Sequence, residues 1–530
     1  MFSLFLTSHH LLVRALLDVC AGYLLVLIAR ILYTQIRTAY HLRNVPGPKA
    51  PSWLWGSEWD LHKASPGVRY LEWKAKHGDV IKIQGALGRN LLAVSDPRAA
   101  KFILEENVFD FPKPQGVREW FRLLVGEGLL FVEGKEAHAR ERRIFTPALT
   151  TNAIRPILAT FYALSSKMTD AWSARLDSTS SDAIIEDIQW WTNRLSLDNI
   201  GLAGFSYSFD SLSSSSEANP LAIALEALTN SADNFSSFVM KALFYTFPWI
   251  LSIPSEKSKH INNTREELGK VATRMWNQAK EEGADTGRKT LMDSMIKADG
   301  ADEMTQEQIA AQLRTLVQAG YETVGCTMAW LIYEIARHPM VQSRIREEVT
   351  ATPNEPTFED LHGAEHMPFL DATIKETLRL HPPVLELTHV AAKDTLVPLS
   401  KPLPNDPFGK LDMLIPKGTI INVPVNLVQA DPDVWGRDAA LFKPERWLSN
   451  NNSEKGMRDV LAFSAGPRIC PGRHFAMLEM KATIALVLRQ FTLRPVPTKP
   501  IEPFWSFVVR PRVRGEKDSS LPVLVERIKY

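Results

Sequence analysis

Apolar residues recur at helical spacing over much of the chain, and the clearest helix lies near its middle. Thr305 and Gln308 mark a capping box, in which two side chains satisfy the free amides that open a helix. Pro339 ends this helix, so it is predicted to run to about Arg337, with a length of about 50 Å. Further helices are predicted over 134–149, 368–380 and after residue 470.

Short stretches favour strands. Val80–Gln84 and Asn90–Ser95 flank the glycine-containing turn at 85–88, which predicts a hairpin. The double proline at 382 and 383 stops the preceding helix, so 384–390 is predicted to be extended. Residues 412–429 are predicted to form two strands around a Pro-Lys-Gly turn.

One apolar stretch near the N-terminus is long enough to cross a membrane. Ala15–Leu32 would form a helix of about 27 Å, close to a hydrocarbon core of about 30 Å, and Arg30 could reach the interface. A cleaved signal peptide is the alternative, but the preceding residues are not basic and the stretch is long for one. More cations follow the stretch than precede it, which predicts that the rest of the chain lies in the cytosol.

Composition excludes several classes of protein. A net charge of +1 over 530 residues argues against a dedicated nucleic-acid binder. The 3 cysteines, at 20, 326 and 470, form no disulfide framework and indicate a reducing compartment. Cys20 and Cys326 lie in apolar or helical patterns and are predicted to be small buried hydrophobes.

The third cysteine lies in a setting suited to a metal ligand. Cys470 precedes a helix, whose free amides and positive dipole favour the thiolate, the form that binds metal. Arg468 offers a permanent cation for a carboxylate. Gly466 and Gly472 allow tight turns and the close approach of a flat ligand such as a haem. The alternative is a buried structural cysteine beside an ordinary turn.

This stretch resembles the cysteine loop of the cytochrome P-450 family of haem-thiolate monooxygenases. Phe463, Gly466, Arg468, Cys470 and Gly472 match all five fixed positions of the family pattern F-x-x-G-x-R-x-C-x-G, which disfavours the structural alternative. The resemblance implies that the Cys470 thiolate ligates the iron of a haem b and that Arg468 binds a haem propionate.

Three more residues are expected near the haem. The family places an aromatic residue or a histidine four positions before an arginine, and His138 and Arg142 fit that spacing on one helix face. The alternative is a solvated charged face. Arg140 and Arg143 would point outward and could dock an acidic reductase. His389 replaces an arginine that is common in the family, so haem retention is predicted to vary with pH near neutrality.

The long central helix contains the sequence Ala319-Gly320-Tyr321-Glu322-Thr323. Glycine in a helix costs about 1 kcal/mol relative to alanine, and a threonine hydroxyl can bond a backbone carbonyl and open the helix locally. Close helix packing would explain Gly320 but not its neighbours. The segment matches the family's oxygen-activation motif, which implies that Thr323 hydrogen-bonds bound oxygen and that Glu322 relays protons.

A carboxylate and two arginines resemble the family's structural lock. Glu376 and Arg379 share a helix face, a spacing that alone usually marks a surface pair. Arg446, in Phe442–Trp447, matches the residue that completes the lock. The resemblance implies a buried cluster behind the cysteine loop, since a buried carboxylate needs partners to offset desolvation.

The resemblance covers the chain from Pro46 onward. It implies a membrane anchor and linker at 1–45, and at 46–530 one mainly α catalytic domain with a small β portion, in the cytochrome P-450 fold. The protein is expected to cross the endoplasmic reticulum membrane once, with its catalytic domain facing the cytosol. A hairpin near 503–507 is expected to reach the active site. Expected pocket residues are Ala319, Gly320, Val384, Phe504 and Trp505.

The function implied is monooxygenation of an apolar small molecule, in fungal secondary metabolism such as terpenoid biosynthesis. Expected partners are an NADPH-dependent cytochrome reductase, a cytochrome b5-like donor and membrane lipid, with no nucleic acid. No flavin or nicotinamide motif is found in the sequence, so electrons must come from another protein. The alternatives are a haem-thiolate isomerase or dehydratase, and a non-catalytic haem- or lipid-binding membrane protein.

Overall fold

The computed structural model describes residues 2–213, 219–230, 235–282, 290–300, 304–448 and 460–529. Helices dominate these ranges, as predicted. They are α1 Phe2–His41, α2 Glu58–Lys63, α3 Val68–His77, α4 Pro97–Lys101, α5 Gln115–Leu124, α6 Lys135–Phe145, α7 Thr151–Ile154, α8 Leu158–Asp177, α9 Ile188–Asn199, α10 Pro220–Asn230, α11 Phe235–Leu243, α12 Glu256–Glu282, α13 Leu291–Gly300, α14 Gln306–Arg337, α15 Pro339–Thr350, α16 Phe358–Leu361, α17 Pro368–Leu380, α18 Val425–Gln429, α19 Pro432–Trp435 and α20 Arg473–Gln490.

Strands form a smaller part of the described chain. They are β1 Val80–Gln84, β2 Asn90–Val94, β3 Ala183–Asp187, β4 Glu386–Val390, β5 Thr395–Pro398, β6 Asp412–Ile415, β7 Ile420–Pro424, β8 Phe491–Pro495, β9 Ile501–Trp505, β10 Val509–Val513 and β11 Pro522–Arg527. One sheet has the order β1-β2-β7-β4 and another the order β3-β11-β8. The pairs β5/β6 and β9/β10 are antiparallel.

Helix α14 crosses the hydrophobic core. Its capping box at Thr305 and Gln308 is present, and it ends at Arg337, so both predicted ends are confirmed. Side chains from α8, α9, α15, α17 and α20 join it in one large apolar cluster. Helices that are buried on every side are typical of the centre of a large domain.

The β portion follows the sequence prediction in part. The hairpin of β1 and β2 is confirmed, and β9 and β10 form the expected second hairpin. Strands β6 and β7 lie where predicted but do not pair with each other: β6 pairs with β5, and β7 lies between β2 and β4. The next five residues form α18 rather than strand.

The N-terminal helix α1 contains the stretch that was predicted to span a membrane. Several side chains of 15–32, including that of Cys20, lie outside the described part of the chain. Among the described residues, no helix is both long enough and apolar enough to cross a membrane. The predicted transmembrane helix is therefore not supported by the structure.

Candidate haem site

The loop before α20 is organised around Cys470. The Cys470 amide donates to the carbonyl of Phe463 at 2.8 Å, which closes the loop upon itself. Gly466 has φ of +61°, and a Cβ there would lie 2.6 Å from the carbonyl oxygen of Leu104. This close approach explains why the position requires glycine.

Gly472 has a different role, because any residue could adopt its backbone conformation. Its φ is −84°, and a Cβ there would meet only the Cys470 Sγ within 4 Å, at 3.9 Å. The Gly472 amide donates to this sulfur, and Pro471 has no amide to offer. A glycine at this position thus leaves the flank of the sulfur open.

The protonation of Cys470 corrects a prediction. Burial raises the pKa of the thiol above its ordinary value, although the Gly472 amide, Arg142 and Arg473 lower it. The start of α20 alone therefore does not make the thiolate the favoured form. A bound metal ion would do so, because a coordinating thiol is deprotonated outright.

Helix α6 links the cysteine loop to the central helix. Arg142 donates to the carbonyl of Ile469, next to the cysteine, at 2.7 Å. The preceding Glu141 is buried and accepts a hydrogen bond from Gln312 of α14. Arg140 and Arg143 are exposed, as expected for the outer face.

A cluster of charges that the sequence did not predict surrounds Arg468. Its guanidinium forms a two-point ion pair with Glu133, and Lys113 approaches the same carboxylate at 2.7 Å. The Nε of Arg468 is buried and has no partner among the described residues. Lys113 lies between Pro112 and Pro114, a rigid setting that could have drawn attention to it.

Both predicted histidines lie in this cluster, and both are neutral. Burial, with Arg468 and other cations nearby, lowers the pKa of His138 to about 4. Burial, with Arg468 and Lys113, also lowers the pKa of His389 to about 4. The Nδ1 of His389 donates to the carbonyl of Phe111 at 2.7 Å. This low pKa argues against the predicted change of haem retention with pH near neutrality, which stays a prediction.

One face of α14 is partly accessible. From residue 311 to residue 332 every side chain is buried except Ala319, Gly320 and Thr323, which are partly accessible. These three share a helix face, as their spacing requires. The Thr323 hydroxyl donates to the Ala319 carbonyl at 2.8 Å.

The predicted local opening of this helix is wrong, because α14 continues through the segment without interruption. The Thr323 hydroxyl adds a second donor to a carbonyl of the preceding turn instead of ending the helix. Gly320 has the packing role that was the alternative: a Cβ there would lie 2.8 Å from the Ile200 side chain.

Glu322 is buried and ion-paired. Arg510 of β10 donates to Glu322 Oε1 at 2.8 Å, and Gln318 donates to Oε2 at 2.6 Å. Glu322 is only 1% exposed. Arg510 was not predicted, because it lies 188 positions away in sequence. The same strand accepts a hydrogen bond from the buried Cys326 at the Val509 carbonyl, consistent with a structural cysteine.

The three residues of the predicted lock lie in contact. Arg379 donates to both oxygens of Glu376, at 2.8 and 2.9 Å, and Arg446 donates to Oε1 at 2.8 Å. Two partners were not predicted: the amide of Lys443 and the indole of Trp447, at 2.9 and 3.0 Å. Glu376 is fully buried, with a donor for each lone pair.

The predicted pocket residues separate into two groups. Val384 is partly accessible, and so is Trp505, which lines a cavity below α11. Phe504 faces the other side of β9, where the Arg512 guanidinium lies 4.6 Å from its ring centroid. Phe504 is buried there and is not part of that cavity, because successive strand residues point to opposite faces.

The residues around Cys470 fit a haem. The sulfur has an amide donor and an open flank, and the buried Nε of Arg468 lacks a partner within the described ranges. Cys470 would hold the iron, while Arg142, Arg468 and Lys113 would offer positive charges to the carboxylates of the haem.

Comparison with known proteins agrees with this geometry. The model of the cytochrome P-450 family matches residues 45–515. Cytochrome P-450 monooxygenase claQ of Ampulloclitocybe clavipes is 33% identical over 502 residues, which cover 91% of this chain and 93% of the relative. Cytochrome P-450 monooxygenase 205 of Postia placenta is 33% identical over 524 residues, covering 94% and 95%.

Proposed function

The chain belongs to the cytochrome P-450 family of haem monooxygenases, and we propose that it oxidises an apolar small molecule with dioxygen and electrons from an NADPH-dependent reductase. The observation that carries the proposal is the Cys470 sulfur, which receives the Gly472 amide and lies in a loop attached to α6 through Arg142. A cytochrome b5-like protein is a second possible donor of electrons.

When bound, the haem supplies dioxygen activation, so that one oxygen atom enters the substrate and the other leaves as water. The chain's own residues manage protons and water. Thr323 carries a hydroxyl on the accessible face of α14 and can exchange its bond to the Ala319 carbonyl for one to a ligand. Glu322 can pass a proton only after its carboxylate exchanges Arg510 or Gln318 for another partner.

Three of the expected pocket residues are partly accessible and carry no charge, so the substrate is proposed to be apolar. Ala319, Gly320 and Val384 offer no charge to a ligand. Terpenoids, steroids, fatty chains and aromatic compounds share this chemistry. A role in fungal secondary metabolism is part of the proposal and rests on the fungal relatives alone.

Attachment to the endoplasmic reticulum membrane, with the catalytic domain facing the cytosol, is also proposed. The apolar stretch at 15–32 supports it, as do exposed aromatic residues on the domain surface, including Trp53 at 86% and Trp249 at 64% exposure. Alkaline carbonate extraction of membranes that contain the full chain tests the attachment. Release into the supernatant would contradict it.

The catalytic proposal is tested by turnover of an apolar compound library in membranes that also contain a reductase. The expected product appears only with NADPH and carries one ¹⁸O atom when the reaction runs under ¹⁸O₂. A product that forms without NADPH, or without ¹⁸O, would indicate an isomerase or dehydratase instead.

A further inference from the structure

A second group of polar side chains lies away from the cysteine loop, around the cavity that Trp505 lines; Tyr70 and Asn422 are buried, Glu58 and Glu386 are partly buried and Lys241 is exposed. The cavity has a volume of about 50 Å³. Its walls come from α2, α3, α11 and the sheet β1-β2-β7-β4, and its polar lining includes Glu58, Tyr70, Lys241, Glu386 and Asn422. The catalytic proposal uses none of these five side chains.

Asn422 is the clearest sign of a ligand. Its amide Nδ2 donates to the hydroxyl of Tyr70 and to Glu386 Oε2, at 3.2 Å each, so both of its donor hydrogens are used. Its Oδ1 has no partner within the described chain, although the residue is only 7% exposed. Buried acceptors are normally satisfied, so a donor from outside the chain is expected here.

Carboxyls and cations meet at the cavity, where burial raises the pKa of Glu58 to about 7 and also raises that of Glu386. The carboxyls of Glu58 and Glu386 both interact with Lys241, whose ammonium lies 4.5 Å from the Trp505 ring centroid. Arg89 lies near Glu58 as a second cation. An added ammonium would face Lys241, and an added carboxylate would face Glu58 and Glu386. A neutral group that both donates and accepts avoids both repulsions.

The size of the cavity restricts the ligand further. A volume of 50 Å³ holds only about three or four water-sized groups, so it accepts a small head group and not a whole molecule. The apolar remainder would lie along Trp505.

We propose that this cavity binds the hydroxyl group of an apolar alcohol, with Asn422 Oδ1 accepting its hydrogen and Lys241 donating to its oxygen. The inference rests on the proposed function, since it makes the substrate an apolar molecule that already carries a hydroxyl group. A reaction that forms an alcohol, such as an earlier hydroxylation or a reduction of a carbonyl, must then supply this substrate.

Isothermal titration calorimetry of the purified, haem-loaded full chain tests the proposal with matched probes. 1-Decanol and its isomer 1-methoxynonane have the same size, but only the alcohol can donate. We expect 1-decanol to bind at least tenfold more tightly than 1-methoxynonane, decylamine and decanoate. Equal binding of the two isomers would overturn the proposal, as would tightest binding of the amine or of the carboxylate.

Variants test which residue produces the preference for 1-decanol over 1-methoxynonane. Asn422→Leu should reduce the ratio between the isomers below threefold and leave the affinity for 1-methoxynonane unchanged. Asn354→Leu, at an exposed position between α15 and α16, is the matched control and should keep the full ratio. An unchanged ratio in Asn422→Leu would contradict the assignment, and if that variant fails to fold, the probe series on the unaltered protein decides.

The carbon monoxide spectrum of each sample separates this result from the proposed function. A protein that shows the thiolate-ligated spectrum but no preference for 1-decanol retains the catalytic proposal and loses the alcohol site. A protein that prefers 1-decanol but lacks that spectrum keeps the site and loses the proposed chemistry.

Discussion

Several side chains around the cysteine loop differ from their ordinary states in water. Burial raises the pKa of Cys470 and lowers the pKa of His138 and His389. In each case burial favours the neutral form. The permanent charges of Arg142 and Arg468 therefore set the electrostatics of the site, together with Lys113 and Glu133.

The two buried histidines predict a loss of stability in acid. Each has a pKa of about 4 when folded, against about 6.5 when unfolded. As the pH falls below about 6.5, the histidines bind protons in the unfolded state before they do so in the folded state. The free energy of unfolding therefore decreases between about pH 6.5 and pH 4, by on the order of 3 kcal/mol per histidine.

Urea unfolding of the haem-loaded protein at pH 7 and pH 4.5 measures this loss. His389→Asn keeps an amide donor for the Phe111 carbonyl and should show a smaller loss than the unaltered protein. His366→Asn, at an exposed position, serves as the control and should lose as much stability as the unaltered protein. Identical losses in His389→Asn and the unaltered protein would rule out this role.

Removal of the buried charge of Glu376 should prevent haem incorporation. Glu376→Gln leaves Arg379 and Arg446 without their carboxylate, and breaking a buried pair costs about 3–5 kcal/mol. The haem-to-protein ratio, measured by pyridine haemochrome absorbance, should fall to near zero. Glu347→Gln, on the exposed face of α15, should load haem normally. A stable, haem-loaded Glu376→Gln protein would refute the lock.

At the scale of elements, the hairpin of β9 and β10 is fixed to the central helix by one buried ion pair. Arg510 and Glu322 are both about 2% exposed, and the Val509 carbonyl accepts from Cys326 and Trp330 of α14 at 3.0 and 3.1 Å. The pair thus joins the predicted proton-relay residue to the strand that follows Trp505.

A double-mutant cycle tests this link. Arg510→Met leaves the Glu322 charge buried without its partner, so it should destabilise the protein by about 3–5 kcal/mol. Glu322→Gln combined with Arg510→Met should recover part of that loss, as measured by urea unfolding. Arg512→Met, on the same strand but with a partly exposed partner, should lower the free energy of unfolding by less than about 1 kcal/mol. Strictly additive effects in the cycle would contradict the coupling.

The helices and strands also show how much of the structure the sequence alone can predict. Signals within a few residues, such as the capping box at Thr305 and the prolines at 368 and 382, gave the helix ends correctly. The family motif located the lock and the cysteine loop. Arg510 and Glu133 were missed because their partners are distant in sequence. The neutral state of His389 was missed because burial by other elements decides it.

Across the whole molecule, the cysteine loop lies beside a basic surface that can receive an electron donor. Arg140 and Arg143 are exposed on α6, on either side of the Arg142 that contacts the loop. Complementary charge on a reductase would speed association, and salt would weaken the effect.

Reversal of these charges should slow electron delivery without changing the haem site. In a variant with Arg140→Glu and Arg143→Glu, the reductase-driven rate of carbon monoxide complex formation should fall at least tenfold at low salt. Reduction by dithionite should give the same spectrum as before. Lys517→Glu, exposed near the C-terminus, is the control. An unchanged reductase-driven rate would exclude this surface as the docking site.

The central claim is that Cys470 ligates a haem, and the carbon monoxide difference spectrum of the reduced protein tests it most directly. The unaltered chain should show a Soret band at the position of thiolate-ligated haem, and Cys470→Ala should not. A chain that binds haem but lacks this band, or a Cys470→Ala variant that retains it, would contradict the claim and the proposed chemistry with it.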